Sequence, residues 1–152
     1  MNIKRNAFTM IELIFIILIL GVLAAIAIPK FAATRDDAKT SRMAHNIMTT
    51  AFEISTFVVS KANVEADFTV MSNTAKLMNN LGTVTLSNYK ADYNFGNVSP
   101  CVTLEVQNPN AQIVYLSIAV HPAGGDDMCT AMQGLIDDGV FPIKLKGSSV
   151  SY

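Results

Sequence analysis

Nowhere in this 152-residue chain do lysines or arginines gather into a block, and its 11 basic and 12 acidic side chains leave a formal net charge of −1. Without a basic stripe there is nothing to neutralise a row of phosphates, so nucleic acid is not an obvious partner; only weak DNA contact stays open. Cysteine and histidine are also scarce, with Cys101, Cys129, His45 and His121 making up the whole set. A zinc site needs about four ligands, and no histidine stands at ligand spacing from a cysteine. GxSxG, P-loop and dinucleotide fingerprints are missing. The nearest local pairing of nucleophile and base is Ser117 with His121, a spacing that strands and helices produce routinely. The chain therefore reads as a non-enzyme, and it is too short for two full domains of about 100 residues or more beside a long hydrophobic element.

What the chain does have is a long apolar run. Phe8 to Ile28 is broken only by Thr9, Glu12 and Gly21, and as a helix it covers roughly 31 Å, enough for the hydrocarbon core of a bilayer. Residues 2–7 are polar. Lys4 and Arg5 favour their retention in the cytoplasm, although Lys30, Arg35, Lys39 and Arg42 beyond the run blunt the bias. The plainer alternative is a secretory signal peptide cut at Ala25-Ile26-Ala27. Against it, the run exceeds the usual apolar region of about 7 to 15 residues, the cut would abut Pro29, and a charged residue sits inside.

That residue is Glu12. An ionised carboxylate at membrane depth is costly and asks for a partner, yet no base follows until Lys30. An α-amino group would serve if the chain were cut between Ala7 and Phe8. Glu12 would then stand four residues from the new terminus, where it could meet the amine of a neighbouring subunit. The competing reading is a carboxylate snorkelling to the cytoplasmic interface.

From Phe31 the pattern stays helical. Ala44, Ile47, Met48, Ala51, Ser55, Val58, Val59 and Ala62 form one apolar stripe, with Arg42, His45, Asn46, Thr49, Thr50 and Glu53 between them as a solvated face. His45 reads as a surface residue. Asp36 and Asp37 among Arg35, Lys39 and Arg42 suit ion pairing along the helix, within a chain or between subunits. Phe8 to about Ala62 would extend roughly 80 Å if continuous, with a kink or local break at Pro29, which lacks an amide hydrogen. Half of such a helix is an apolar spine, stable only in lipid or in a bundle of copies, and this implies a polymer.

The remainder alternates. Ser72 as N-cap before Asn73 to Leu81, closed by Gly82, predicts a short helix. Thr83 to Ser87, Tyr89 to Phe95, Cys101 to Gln107 and Gln112 to Val120 read as strands, parted by Gly96-Asn97 and Asn108-Pro109-Asn110. A helical turn over Thr130 to Ile136 and a last strand near Val140 to Leu145 follow. The alternation of Val102, Leu104 and Val106 and of Val114, Leu116 and Ile118 gives the sheet one buried face to receive the helix stripe. Two cysteines suit one disulfide if this part is exported, or else two buried thiols. Gly124-Gly125-Asp126-Asp127 and Asp137-Asp138-Gly139 could hold Ca²⁺ or simply make turns, and their spacing matches no EF-hand.

The segment KRNAFTMIELIFIILILGVLAAIAIPKF resembles the prepilin signal of type IV pilins and type II secretion pseudopilins, over about residues 4 to 45. The resemblance implies an α+β, pilin-like fold in which a long amino-terminal helix packs on an antiparallel sheet. Residues 1–7 would be the leader, 8–30 the transmembrane and assembly helix, and 31–152 the head, made of helix 31–62 and the α/β region 65–152. It further implies insertion in the bacterial inner membrane with a periplasmic head, cleavage by a prepilin peptidase between Ala7 and Phe8, and N-methylation of Phe8. Glu12 would set subunit register, Gly21 and Pro29 would be bend positions, and Cys101–Cys129 would tie the tail to the sheet. Partners would be other copies, related pilins, the peptidase and an inner-membrane assembly platform, with no resident cofactor. Calcium enters because some major pseudopilins bind it in a carboxy-terminal loop. The family usually has glycine before the cut; Ala7 is the mildest replacement and implies slower processing. A minor pilin binding DNA or a surface ligand at a filament tip is the alternative role.

Overall fold

The computed structural model describes residues 8–147; the expected leader over residues 1–7 and the last residues, 148–152, lie outside that range. By internal contacts the chain divides into two compact units, one ending at Ala38 and one beginning at Lys39. One helix, α1 (Met10–Lys61), contributes to both.

In the first unit α1 is long and apolar enough to cross a membrane. Ile11, Ile14, Ile16, Ile17 and Ile19 are only moderate helix formers in water. Hydrocarbon changes the balance, because it offers the backbone no water and each N–H and C=O must bond within its own segment.

The second unit is α+β. After α1 come α2 (Phe68–Met71), α3 (Asn73–Asn80), β1 (Val84–Ser87), β2 (Lys90–Phe95), β3 (Val98–Gln107), β4 (Val114–Val120), α4 (Asp127–Gly134) and β5 (Ile143–Lys146). The strands form one antiparallel sheet in the order β1-β2-β3-β4-β5. Short polar side chains set the boundaries. Asp67 caps α2 by accepting from the Thr69 amide. Ser72, extended at φ −140° and ψ 123°, ends α2 through its own amide and starts α3 by accepting from the Ala75 amide. Gly96 makes the β2–β3 turn at φ +65°, and a Cβ there would run into the Asp126 carboxylate, so both conformation and space require glycine. The bounds of α3, α4 and the strands agree with the sequence reading to within a few residues, whereas α2 has no counterpart in it and Val140, expected in the last strand, ends a 3-10 turn ahead of β5.

The phase of the helix stripe does not agree fully. Thr40, Met43, Ala44, Ile47, Thr50, Ala51, Ile54 and Val58 are the buried positions of α1, which recur at helical spacing. Val59 and Ala62, expected inside, are exposed, and Met48 and Ser55 are half-buried. Thr50, expected on the solvated face, is fully buried near Tyr93. Burial pushes the Tyr93 phenol well above the usual tyrosine range, the Thr50 hydroxyl moderates that rise, and the Glu53 carboxylate adds to it. The two hydroxyls are close enough to influence each other, yet neither makes a hydrogen bond of regular geometry.

Glu53, also expected in solvent, is a cross-element cap. Its carboxylate accepts from the Ser72 hydroxyl, from the Thr74 amide at 3.0 Å and from the Thr74 hydroxyl at 3.3 Å. It thereby fixes the start of α3 to α1, and the charge meets the positive end of that helix. Glu53→Ala should lower the unfolding free energy by about 1 to 3 kcal/mol, the range for a hydrogen-bonded charge whose partners lose it. Glu53→Gln should lose less. Chemical denaturation of the full chain in detergent measures both, and equal losses would show that the charge contributes nothing beyond its acceptor.

Candidate functional site

The candidate site is the start of α1. Ala7, one side of the expected cut, lies outside the described residues. Phe8 and Thr9 precede the helix, and Phe8 is exposed. Glu12 turns back on the helix start: its Oε2 accepts from the Thr9 amide at 2.9 Å and from the Thr9 hydroxyl at 2.7 Å, while the Glu12 amide donates to Thr9 Oγ1 at 3.3 Å. This reciprocal pairing is a capping box, which satisfies amide hydrogens that no preceding turn can serve. Glu12 thus has partners in its own chain, which the reading of an acid needing an amine overlooked. The signal was present as Thr9-x-x-Glu12 ahead of an apolar run.

From Phe8 to Phe31 every side chain except half-buried Ala27 is exposed within the chain. Phe8, Met10, Ile11, Phe15, Ile26, Ile28 and Phe31 each show more than 60% of their surface. The helix continues through Gly21 and Pro29, so the local break expected at Pro29 does not interrupt it. Pro29 has no amide to offer the Ala25 carbonyl. A turn further on, the Thr34 hydroxyl donates to the Lys30 carbonyl at 3.0 Å, a back-bond that tends to bend helices. Nothing lies within 4 Å of where a Gly21 Cβ would stand, so the fold of one chain does not require glycine there.

In the second unit Cys101 and Cys129 are both fully buried and bridged, with a Cα–Cα distance of 5.9 Å, joining β3 to α4. Gln133 reinforces the joint by donating to the carbonyls of Cys101 and His121, at 2.9 and 2.8 Å. Ser117 and His121 do not pair. The Ser117 hydroxyl donates to the Glu105 carbonyl, and His121 Nε2 lies 2.9 Å from Thr103 Oγ1. The Thr103 hydroxyl donates its proton to Asp92. Its oxygen must therefore accept from the imidazole, and Thr103 is neither an activated nucleophile nor exposed.

The acidic pairs of the tail serve turns. Asp126 caps α4, its carboxylate accepting from the Cys129 amide at 2.8 Å and the Asn97 amide at 2.9 Å, and these bonds hold it below the usual carboxylate range. Asp137 accepts from the Gly139 amide at 3.1 Å. Among the described residues no three His, Cys, Asp or Glu side chains gather as metal ligands. No family model, curated protein or solved structure matches the chain.

Proposed function

We propose that the chain is a structural subunit of a type IV pilus-like filament or type II secretion pseudopilus, with no catalytic activity of its own. It is inserted in the bacterial inner membrane with its head on the periplasmic side, processed before Phe8, methylated on the new amine, and polymerised through α1. Its partners are other copies of itself, related pilins, a prepilin peptidase and methyltransferase, and an inner-membrane assembly platform. The reading is carried by the uncovered apolar helix from Phe8 to Phe31 with one acid near its start. Such a surface is stable only in lipid or against other apolar helices.

Two details favour helix partners in addition to lipid. Glycine within a helix costs about 1 kcal/mol relative to alanine, and no contact within the chain explains Gly21. Small residues are what let two membrane helices approach closely. Glu12, besides closing the capping box, carries the charge that a neighbouring Phe8 amine would seek.

Intact mass of the protein from membranes and from sheared filaments tests the processing. The expected species begins at Phe8 and carries one added methyl. A terminus at Ile28, or residues 1–7 retained in filaments, would contradict it.

A further inference from the structure

One side of β5 is open, with an apolar groove beside it. β5 pairs with β4 along its first side, and among the described residues no strand pairs with its second. There the second half of α1 and the segment entering β5 enclose a groove of about 830 Å³, lined by Phe52, Val59, Val140, Pro142 and Ile143. Phe52 is 71% exposed, and Val59 and Val140 are exposed as well.

We infer that Ser149 to Tyr152, which follow the described residues in sequence, return along β5 as a sixth antiparallel strand and cover this groove from within the same chain. Gly147 stands at φ +149°, a conformation that favours glycine, and a Cβ there would run into the Lys144 side chain. Gly147-Ser148 between two strand-like runs is a two-residue hairpin turn. Such a turn sets the register: Ser149 opposite Lys146, Val150 opposite Leu145, Ser151 opposite Lys144 and Tyr152 opposite Ile143. Directly opposed residues share a face of the sheet. Leu145 is buried and Ile143 lines the groove, so Val150 and Tyr152 face α1, and Ser149 and Ser151 face away with the lysines. Ser-Val-Ser-Tyr has the alternation of a half-buried strand.

The rim suits this occupant. Asp137 and Asp138 beside Val140 balance Lys144 and Lys146, so charge draws neither an acid nor a base to the groove, and no side chain from Ser148 to Tyr152 carries a charge. Pro142, which has no amide to pair, lies just beyond the last residue of the register. Tyr152 opposite Ile143 joins an aromatic to a β-branched side chain, a combination that stabilises antiparallel strands. Phe52 and Val140 then belong to the core of the head and not to a surface for partners.

Two measurements on the full chain in detergent test the sixth strand. Lys144→Cys with Ser151→Cys should oxidise to a bridge within one molecule, because directly opposed residues lie within disulfide reach. Lys146→Cys with Ser151→Cys, two positions out of register, should not. Cys101 and Cys129 are buried and already bridged, so they do not compete. Independently, Val150→Asp and Tyr152→Asp should each lower the melting temperature of the head by about 4 to 8 °C, whereas Ser149→Asp and Ser151→Asp should not lower it. Bridging in neither pair, equal bridging in both, or cross-linked dimers in place of the internal bridge would overturn the sixth strand. So would a melting temperature that shows no alternation among the four acids.

Discussion

Glu12→Leu should leave the protein in the membrane with its head folded while filament yield falls to background, and Glu12→Gln decides why. Leucine removes the one acid of the apolar run from Phe8 to Ile28, a change that makes insertion into hydrocarbon easier. It also removes the capping box with Thr9 and the charge open to a neighbouring amine. Glutamine separates these two losses: its side-chain oxygen still accepts from the Thr9 amide, as capping boxes allow, but it carries no charge. If the charge draws in the Phe8 amine of the adjoining subunit, both variants lose filaments. The unit beginning at Lys39 keeps its melting temperature in both, because its core residues, from Thr40 onward, are untouched. The comparison is membrane-fraction abundance against sheared-filament yield. Normal filaments from Glu12→Gln would make Glu12 a helix cap only, and normal filaments from Glu12→Leu would leave register to the packing of the apolar spine alone.

Removing the disulfide should be the largest single loss of head stability. Cys101 and Cys129 are 28 positions apart, and closing a loop of that size stabilises by roughly 3 to 4 kcal/mol on the chain-entropy account. For a unit of this size that is a fall in melting temperature of roughly 10 to 25 °C. Replacing both residues with alanine adds the loss of packing at two fully buried positions. Thermal unfolding of the full chain in detergent, oxidised, reduced and as the double alanine variant, measures it. Hydrogen exchange should show α4 losing protection first, because the bridge and Gln133 are its ties to β3 and β4. A fall under about 5 °C would mean that the unfolded chain already holds this loop closed.

The layout of the head was legible because its signals are local. Ser72 three residues before Ala75, Gly96-Asn97 between two strands, and the alternation of Val102, Leu104 and Val106 each depend on a few neighbouring residues. Glu53 and Thr50 were not legible. Their burial depends on α3 and β2, whose contact with α1 no helical spacing reveals. The stripe was misplaced for a related reason: Phe52, Val59 and Ala62 are as apolar as the buried positions, so α1 offers two adjacent apolar faces and periodicity cannot say which one meets the sheet. His121 illustrates the dependence on register. It reaches Thr103 because Val102 pairs with Val120 across β3 and β4, whereas proximity in sequence pointed to Ser117. At the amino terminus the motif was visible but read in one sense only, since attention to the charge of Glu12 hid its capping geometry with Thr9.

Each strand after β1 lies beside its predecessor in sequence. A chain delivered to its destination from one end can therefore build this sheet in order, every new strand finding the open edge left by the last. Contacts between near neighbours also close the least entropic loop and form fast. The cysteines follow the same logic. With only two in the chain, oxidation within one molecule has a single outcome, Cys101 of β3 bridged to Cys129 of α4. Such a head has little need of an isomerase to sort its sulfurs. All five strands and both cysteines lie in the unit beginning at Lys39, so its sheet and its bridge close within one compact unit.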